Sequence, residues 1–265
     1  GAAEGGAPHA PRPLAHRLRQ VHRPFRLGRQ EDAHELLRAL LDAAEPGFKK
    51  LGDGDAALVP ALFGGTQSST LSCPSCKFES VSKEPFLDLS LEPDASIKAA
   101  LAAWQKAEVL DKANAWRCGG CGRAVRATKR LGVEAAPEVL VVHLKRFGEA
   151  FRVIRKIARH VAFEPRLEVK KGAPSYLLRG VVAHHGRAMR AGHYTAYGRG
   201  RDDKWRHFDD DDVRLVPEAT VLRAQAYLVF YARDDDAPPG VVPRERAKSL
   251  DAGDAVDLPP PPPSP

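Results

Sequence analysis

A helical spacing of apolar residues marks the first part of the chain. From Gln30 to Glu45, alanine and leucine recur at intervals of three and four residues, which places them on one face of a helix. The residues of this stripe are Ala33, Leu36, Leu37, Leu40, Leu41 and Ala44. Glu31 and Asp32 stand in the predicted first turn, where acids interact favourably with the positive end of the helix dipole. A second helix is predicted from Ser96 to Lys106. Its inward residues are Ile97, Ala100, Leu101 and Trp104.

A period of two, typical of strands, dominates the rest of the chain. Leu87, Leu89 and Leu91 alternate with polar residues, which predicts a strand with one buried face. The run from Val139 to Leu144 is apolar throughout and rich in β-branched residues, so it is predicted to be a fully buried strand. Further strands are predicted at Tyr176–His184, His193–Gly198, Lys204–Phe208 and Ala226–Tyr231. Helices followed by antiparallel strands indicate an α+β fold.

Composition divides the chain into three parts. Residues 1–20 are rich in Gly, Ala, Pro and Arg without an apolar period, and we expect a disordered lead-in. Residues 234–265 include the five-proline run Pro259–Pro263 and are predicted to form a disordered, Pro-rich tail. One domain is predicted over residues 21–233. The chain begins with glycine and contains a single methionine, Met189, so we expect that upstream sequence is missing.

Charge and hydropathy exclude some classes of protein. The net charge is +7 with an isoelectric point near 9.3, but the arginines are scattered, which does not favour a nucleic-acid partner. No run approaches the length of about 18 apolar residues that a membrane span needs, and no signal peptide is visible, so no membrane partner is expected. Four cysteines in two short pairs argue against a disulfide framework. We therefore expect an intracellular protein, in the cytoplasm, the nucleus or both.

The cysteine pairs have the spacing of zinc ligands. Cys73 and Cys76 form one C-x-x-C knuckle, and Cys118 and Cys121 form the other. Two such knuckles supply four thiolates for one tetrahedral, structural zinc, and we expect them at the tips of long paired strands. A redox C-x-x-C motif would explain one pair only, and no βαβ pattern surrounds either. If zinc takes all four sulfurs, none remains for nucleophilic chemistry.

A histidine and an aspartate are predicted to meet across a hairpin. The strand that begins at His193 and the strand that precedes Asp209 are joined by a loop near residue 201, so His193 and Asp209 would face each other. An imidazole beside a carboxylate forms the base and its orienting acid in a catalytic triad. The residues alone also allow a structural pair, and Asp209–Asp212 could be a solvated acidic loop.

The other histidines give weaker signals. His34 and Glu35 begin an H-E-x-x-H pattern that fails because residue 38 is arginine. His143 lies in the apolar run and is interpreted as a satisfied structural histidine. His184 and His185 end a predicted strand and are interpreted as residues at its rim.

Several blocks of the chain together resemble the ubiquitin-specific protease family of deubiquitinases. Gly28–Leu37 resembles the family's glutamine/aspartate box, and Leu140–Phe147 its central palm strand. Gly192–Tyr197 is similar to the histidine box, while Trp205–Val213 and Ala226–Tyr231 are similar to the closing segments. The likeness covers residues 21–233 in order and at matching spacing.

This resemblance implies a papain-like cysteine protease with a right-hand architecture of thumb, zinc-bearing fingers and antiparallel palm sheet. It implies hydrolysis of the isopeptide bond at the ubiquitin C-terminus, with ubiquitin and ubiquitinated proteins as partners of a monomer. His193 would be the general base and Asp209 its orienting acid, with Asp210 able to share that role. Asp32 and Gln30 would lie near the ubiquitin tail.

One block of the family has no counterpart. The cysteine box should precede Gly28, yet residues 1–27 contain no cysteine. Because the family's chemistry needs a thiolate as well as a histidine, we expect the chain as given to be inactive, with an incomplete thumb. We expect a truncated deubiquitinase, and the alternative is a catalytically dead pseudoprotease that binds ubiquitin. A zinc-stabilised nucleic-acid module would leave His193, Asp209 and the glutamine box unexplained.

Overall fold

The computed structural model describes residues 11–26, 28–51, 57–150, 153–169, 175–188 and 191–234. Two short helices, α1 (Arg12–His16) and α2 (Leu18–Val21), lie within the predicted lead-in. Pro13 stands at the beginning of α1, where its fixed φ suits a helix and its missing N–H costs nothing. The prediction of disorder therefore does not hold for residues 12–20, while residues 1–10 and the Pro-rich tail beyond Asp234 lie outside the described part.

The predicted first helix forms, with shifted ends. It is α3 (Ala33–Leu51), and it continues through Pro46 beyond the predicted end. Its start is set by Asp32, whose Oδ1 accepts hydrogen bonds from the backbone N–H groups of His34 and Glu35, both at 2.9 Å. On the predicted stripe only Leu41 is buried and the other members are half-buried, so the helix is less completely covered than expected. The following helix, α4, spans Leu58–Phe63.

The largest sheet has eight strands and contains the predicted palm. Six of its strands follow one another in the order β15-β14-β13-β12-β16-β8, with β3 beside β8 and β11 beside β12. All of its pairings are antiparallel except β3 with β8. These strands are β3 (Leu89–Leu91), β8 (Val139–Leu144), β11 (Arg166–Glu168), β12 (Ser175–Ala188), β13 (Ala191–Arg199), β14 (Trp205–Asp209), β15 (Asp212–Val216) and β16 (Ala226–Arg233).

The core lies on one face of this sheet, against helix α5 (Ile97–Gln105). Ser96 caps α5 by accepting the N–H of Ala99 at 3.0 Å. Ile97, Ala100 and Leu101 are buried as predicted, and Trp104 is half-buried. Strand β8 is almost wholly buried, which confirms the interpretation of its continuous apolar run. The short helix α6 (Glu218–Val221) contributes Val221 to the same core.

A second, four-stranded sheet carries the first cysteine pair. Its order is β2-β1-β7-β4, from β1 (Gly65–Ser72), β2 (Glu79–Phe86), β4 (Glu108–Val109) and β7 (Thr128–Ala135). The chain also forms two hairpins, β5 (Trp116–Arg117) with β6 (Ala124–Val125), and β9 (Phe147–Ala150) with β10 (Val153–Lys156). Helices and mainly antiparallel strands make the fold α+β, as predicted. Within the described ranges no helix has the length and apolar character needed to cross a membrane.

Candidate functional site

His193 and Asp209 are in contact. The imidazole Nε2 lies 2.5 Å from Asp209 Oδ1, with 45% of the histidine side chain and 38% of the aspartate side chain exposed. His193 belongs to β13 and Asp209 ends β14, so two neighbouring strands of the eight-stranded sheet position the pair. Their contact was predicted from the hairpin, and the structure contains it.

The register of the hairpin differs from the prediction. Ala196 pairs with Phe208 and Arg199 with Trp205, which puts the middle of the hairpin at residue 202 rather than 201. Asp209 is therefore not directly opposite His193 but one diagonal step away on the same face of the sheet. Asp209 is itself paired with Asp212 across the next turn. The side chains still meet because a diagonal neighbour remains within reach of an imidazole.

The pair shifts the pKa of both groups. The hydrogen bond with Asp209 raises the pKa of His193. Desolvation of the ring opposes this rise, and the negative charge of Asp210 adds to it. The hydrogen bond with His193 in turn lowers the pKa of Asp209. A neutral ring bound through Nε2–H leaves its Nδ1 lone pair available, so the geometry suits a base held in one tautomer.

Asp210 is close to the pair without a hydrogen bond to it in the described residues. It is exposed and has a positive φ of 50°, which an aspartate adopts more readily than most residues in a tight turn. One oxygen each from Asp209 and Asp210 and one ring nitrogen of His193 lie within 4.8 Å of one another. Its contribution in this arrangement is electrostatic.

Gln30 is bound to the residue that precedes His193. The side-chain Nε2 donates to the backbone oxygen of Gly192 at 2.6 Å, and Oε1 accepts the Gly192 N–H at 2.9 Å. Gly192 also packs closely against His184, which is buried and not at the rim as the sequence suggested. The sequence did not predict that His184 would pack beside the candidate site. The only indication was its position at the end of a predicted apolar strand.

Asp32 connects α3 to the large sheet. While Oδ1 caps the helix, Oδ2 accepts the hydroxyl of Tyr227 at 2.5 Å and lies 3.5 Å from the hydroxyl of Tyr194. Burial, together with the nearby Asp32 charge, raises the pKa of Tyr194 to about 12. Both carboxylate oxygens of Asp32 are thus engaged within the chain.

A cleft of about 280 Å³ lies beside these residues. It runs along His193 and is bordered by the loop that precedes α3 and by the turn after β14. The lining residues are Arg29, Gln30, Glu31, His184, Gly192, His193, Tyr194 and Asp210. The predicted base therefore faces a concave surface.

The four cysteine sulfurs converge in the second region. All lie within 4.8 Å of one another, with Cys76 Sγ and Cys118 Sγ 3.5 Å apart, and none is in a disulfide. Cys73 and Cys118 are buried, whereas Cys76 is exposed. Hydrogen bonds from Arg123, first its backbone and then its side chain, lower the pKa of Cys121 to about 6.

The two knuckles have the same backbone turn. The N–H of Lys77 donates to the oxygen of Cys73, and the N–H of Gly122 donates to the oxygen of Cys118. Both residues have a positive φ, 63° for Lys77 and 69° for Gly122. The first turn joins the long strands β1 and β2 as predicted, but the second joins the short strands β5 and β6. The expectation of long strands is thus wrong for the second knuckle.

A further polar cluster joins α3 to strands β3 and β8. His34 Nε2 lies 3.0 Å from Asp88, which also pairs with Arg38 at 2.8 Å. His143 stacks on His34 and is 2.8 Å from the hydroxyl of Ser90. Burial lowers the pKa of His143 to about 4, so its ring is neutral near neutral pH. These contacts agree with the structural interpretation of His143.

Comparison of the sequence with known proteins identifies its family. A sequence profile described as ubiquitin carboxyl-terminal hydrolase matches residues 3–231. Ubiquitin carboxyl-terminal hydrolase 23 of Arabidopsis thaliana is 38% identical over 260 residues, covering 91% of this chain and 30% of that protein. Human ubiquitin carboxyl-terminal hydrolase 3 is 32% identical over 257 residues, covering 78% of this chain and 49% of that protein.

Solved structures give the same answer for the fold. Ubp8 in the SAGA DUB module bound to monoubiquitin superposes with a TM-score of 0.77 at 29% identity, over 84% of this chain and 52% of that chain. The same module bound to ubiquitin aldehyde also gives a TM-score of 0.77, at 27% identity, over 84% of this chain and 53% of that chain. The chain spans about a third to a half of the length of these relatives. With a profile match over most of its length, this chain belongs to the ubiquitin carboxyl-terminal hydrolase family.

Proposed function

We propose that this chain is part of a thiol-dependent deubiquitinase, which hydrolyses the isopeptide bond at the C-terminus of ubiquitin. The observation that carries the proposal is the 2.5 Å contact between His193 Nε2 and Asp209 Oδ1 beside an open cleft. The family and the ubiquitin-bound relatives support the choice of substrate. A structural pair buried in a core would have no such access.

In the proposed reaction His193 is the general base. A free thiol has a pKa of about 8.5 and is mostly protonated at neutral pH, so a neighbouring imidazole has to remove its proton before attack on the carbonyl carbon. Asp209 would hold the ring with its proton on Nε2 and stabilise the imidazolium that follows. The protonated ring would then give its proton to the departing lysine amine. Asp210 would add negative charge at the same edge of the ring.

The nucleophile is proposed to come from residues outside the printed sequence. All four cysteines of the sequence lie together in the cluster, so no thiol of this chain contacts His193. By itself the chain is expected to be inactive. The same observation favours one second candidate, a pseudoprotease that binds ubiquitin without cleaving it.

We also propose that the cysteine cluster binds one structural zinc. Four sulfurs around a tetrahedral zinc at about 2.3 Å lie roughly 3.8 Å apart, which is compatible with the 3.5 Å separation of Cys76 and Cys118 and with the 4.8 Å limit of the cluster. Cys73, Cys76, Cys118 and Cys121 would be the ligands. We also propose an intracellular location, because a zinc site would account for all four cysteines without a disulfide.

The ubiquitin tail is proposed to pass through the cleft beside His193. Asp32 borders this path through Tyr194, whose hydroxyl it faces. Because both Asp32 oxygens are engaged, we propose that it supports ubiquitin binding by holding that tyrosine. The role of Gln30 is taken up below.

Two assays test the proposed function. The chain as given should bind ubiquitin in isothermal titration calorimetry but should not hydrolyse a ubiquitin–fluorophore conjugate. A longer chain that carries the coding sequence upstream of Gly1 should turn over the conjugate, and His193→Ala should abolish turnover while ubiquitin binding persists. Unchanged turnover in His193→Ala would remove the proposed base. Ubiquitin binding without turnover in the longer chain would establish the pseudoprotease, and absence of binding by both chains would exclude both candidates.

A further inference from the structure

We propose that Gln30 is a positioning residue for His193, because its carboxamide binds both backbone polar groups of Gly192 and so holds the peptide that carries the histidine. The proposal deepens the proposed function and rests on it. The two hydrogen bonds are called here the Gln30–Gly192 clasp. They join residues 162 positions apart in the chain, at 2.6 and 2.9 Å.

The clasp lies where the backbone of β13 has no regular strand partner. On one side, the pairing of β12 with β13 is regular as far as His185 with His193, then shifts before Ala188 meets Ala191. On the other side, the pairing of β13 with β14 begins only at Ala196. Gly192 therefore sits within the irregular part of one ladder and beyond the end of the other. A carboxamide has the donor and acceptor arrangement of a peptide group, so Gln30 replaces the missing ladder partner.

Holding Gly192 also holds His193. The carbonyl of Gly192 and the N–H of His193 belong to one planar peptide group, and the bond between them does not rotate. Fixing the carbonyl oxygen therefore fixes the plane from which the His193 side chain projects. A loss of the clasp would free the Gly192 backbone and let the imidazole move away from Asp209.

His184 packs closely against Gly192. A Cβ on residue 192 would lie 2.2 Å from His184 Nε2 and 2.3 Å from the backbone oxygen of His185, so the glycine is in close contact with both. The ring of His184 is itself buried, and its backbone oxygen accepts Lys156 Nζ at 2.6 Å. Gly192 is thus packed against a buried ring and hydrogen-bonded to the exposed Gln30 carboxamide.

The clasp is a different role from a direct ubiquitin contact by Gln30. Its Nε2 and Oε1 atoms each make one hydrogen bond to Gly192 within the chain, before any partner is present. The two roles predict different results. A ubiquitin contact affects binding but not the free protein, whereas a positioning residue affects His193 before any partner is present.

The experiment measures the pKa of His193 in the free chain. Histidine-selective labelling with ¹³C at Cε1 allows an NMR titration, and the His193 signal is identified by its loss in His193→Ala. Gln30→Met removes the clasp and preserves side-chain length and charge. The groups that face the ring remain unchanged: Asp209 at the end of β14, Asp210 after it, and His185 on β12. Asp209→Ala gives the value for an unpaired ring.

The matched control is Gln225→Ala. Gln225 is another glutamine whose Nε2 donates to a backbone oxygen, that of Ala158 at 2.7 Å, but it is not part of the clasp. Its removal should leave the pKa of His193 unchanged. A general loss of stability would not move the pKa of one histidine in the folded protein, so the readout separates positioning from a merely structural role.

We expect the His193 pKa in Gln30→Met to fall and to lie closer to that of Asp209→Ala than to that of the parent chain. The proposal is overturned if the value stays at the parent level. Ubiquitin affinity of the same variants is measured by calorimetry as an independent arm. A lost affinity with an unchanged His193 pKa would assign Gln30 to ubiquitin contact instead, while absence of ubiquitin binding by the parent chain would count against the proposed function and not against the clasp.

Discussion

Replacing Gly192 with alanine should destabilise the protein through crowding alone. The backbone of Gly192 does not have a positive φ, so alanine meets no intrinsic strain there. Its Cβ would, however, lie 2.2 Å from His184 Nε2 and 2.3 Å from the backbone oxygen of His185. Ordinary contact distances of about 3.5 Å require each neighbour to move by roughly 1 Å. Because one of them is backbone within the sheet, we expect a loss near the upper end of the range for overpacking, about 2–3 kcal/mol of unfolding free energy.

Urea denaturation monitored by tryptophan fluorescence measures this loss, with Gly180→Ala as the control. Gly180 lies on β12 of the same sheet, and a Cβ there would meet its nearest atom, the oxygen of Tyr197, at 3.5 Å, an ordinary contact. A change below about 1 kcal/mol is expected at this position. In the double variant His184→Ala/Gly192→Ala one of the two clashes is removed. Its loss of unfolding free energy should therefore be smaller than the sum of the losses in the two single variants. If Gly192→Ala is as stable as Gly180→Ala, the close packing around Gly192 is refuted.

Three other predictions concern the cysteine cluster, Asp88 and Asp32. Mass spectrometry should find about one zinc ion per purified chain, and the Cys118→Ser variant should contain none. A fully folded, metal-free preparation of the parent chain would contradict the zinc site. Burial acts to raise the pKa of Asp88, but hydrogen bonds with His34 and Arg38 outweigh it and lower that pKa to about 2. The stabilisation is therefore present above the unfolded pKa near 4 and lost as pH falls toward 2. The pH-dependent part of the unfolding free energy that Asp88 contributes is about 2 kcal/mol. The loss of stability between about pH 5 and pH 2 should therefore be smaller in Asp88→Asn than in the parent chain, and an equal loss in both would contradict the prediction. Asp32→Ala removes the cap of α3 and the hydrogen-bond acceptor of the Tyr227 hydroxyl. Urea denaturation should therefore show a loss of about 2 kcal/mol of unfolding free energy. An unchanged midpoint would exclude a stabilising role of Asp32.

Sequence periodicity predicted the main elements because their burial is local and regular. The continuous apolar run of β8 and the alternation around Leu89 led to buried strands, as observed. The start of α3 was placed too early because the acids before Ala33 suit a first turn, whereas Asp32 acts as the cap just outside the helix. Helix ends depend on which side chain satisfies the free N–H groups, and periodicity does not contain this information.

The contacts of the candidate sites could be predicted from the sequence wherever the partners are close along the chain. His193 and Asp209 are joined by a short hairpin, so their contact was predictable even though the predicted pairing was wrong by two residues. Each cysteine knuckle is one local turn, and the convergence of the two was inferred from the preference of zinc for four ligands.

Only the tertiary structure decided how the histidine is held. Gln30 reaches Gly192 across 162 residues, Asp32 reaches Tyr227 across 195, and His184 is buried under Gly192 rather than exposed at a strand end. Nothing in residue type or spacing encodes these contacts, because they arise where α3 meets an irregular point in the sheet. The sequence alone indicated which groups could carry the proposed chemistry, and the packing of α3 and the loop before it on the sheet determined which residues contact them.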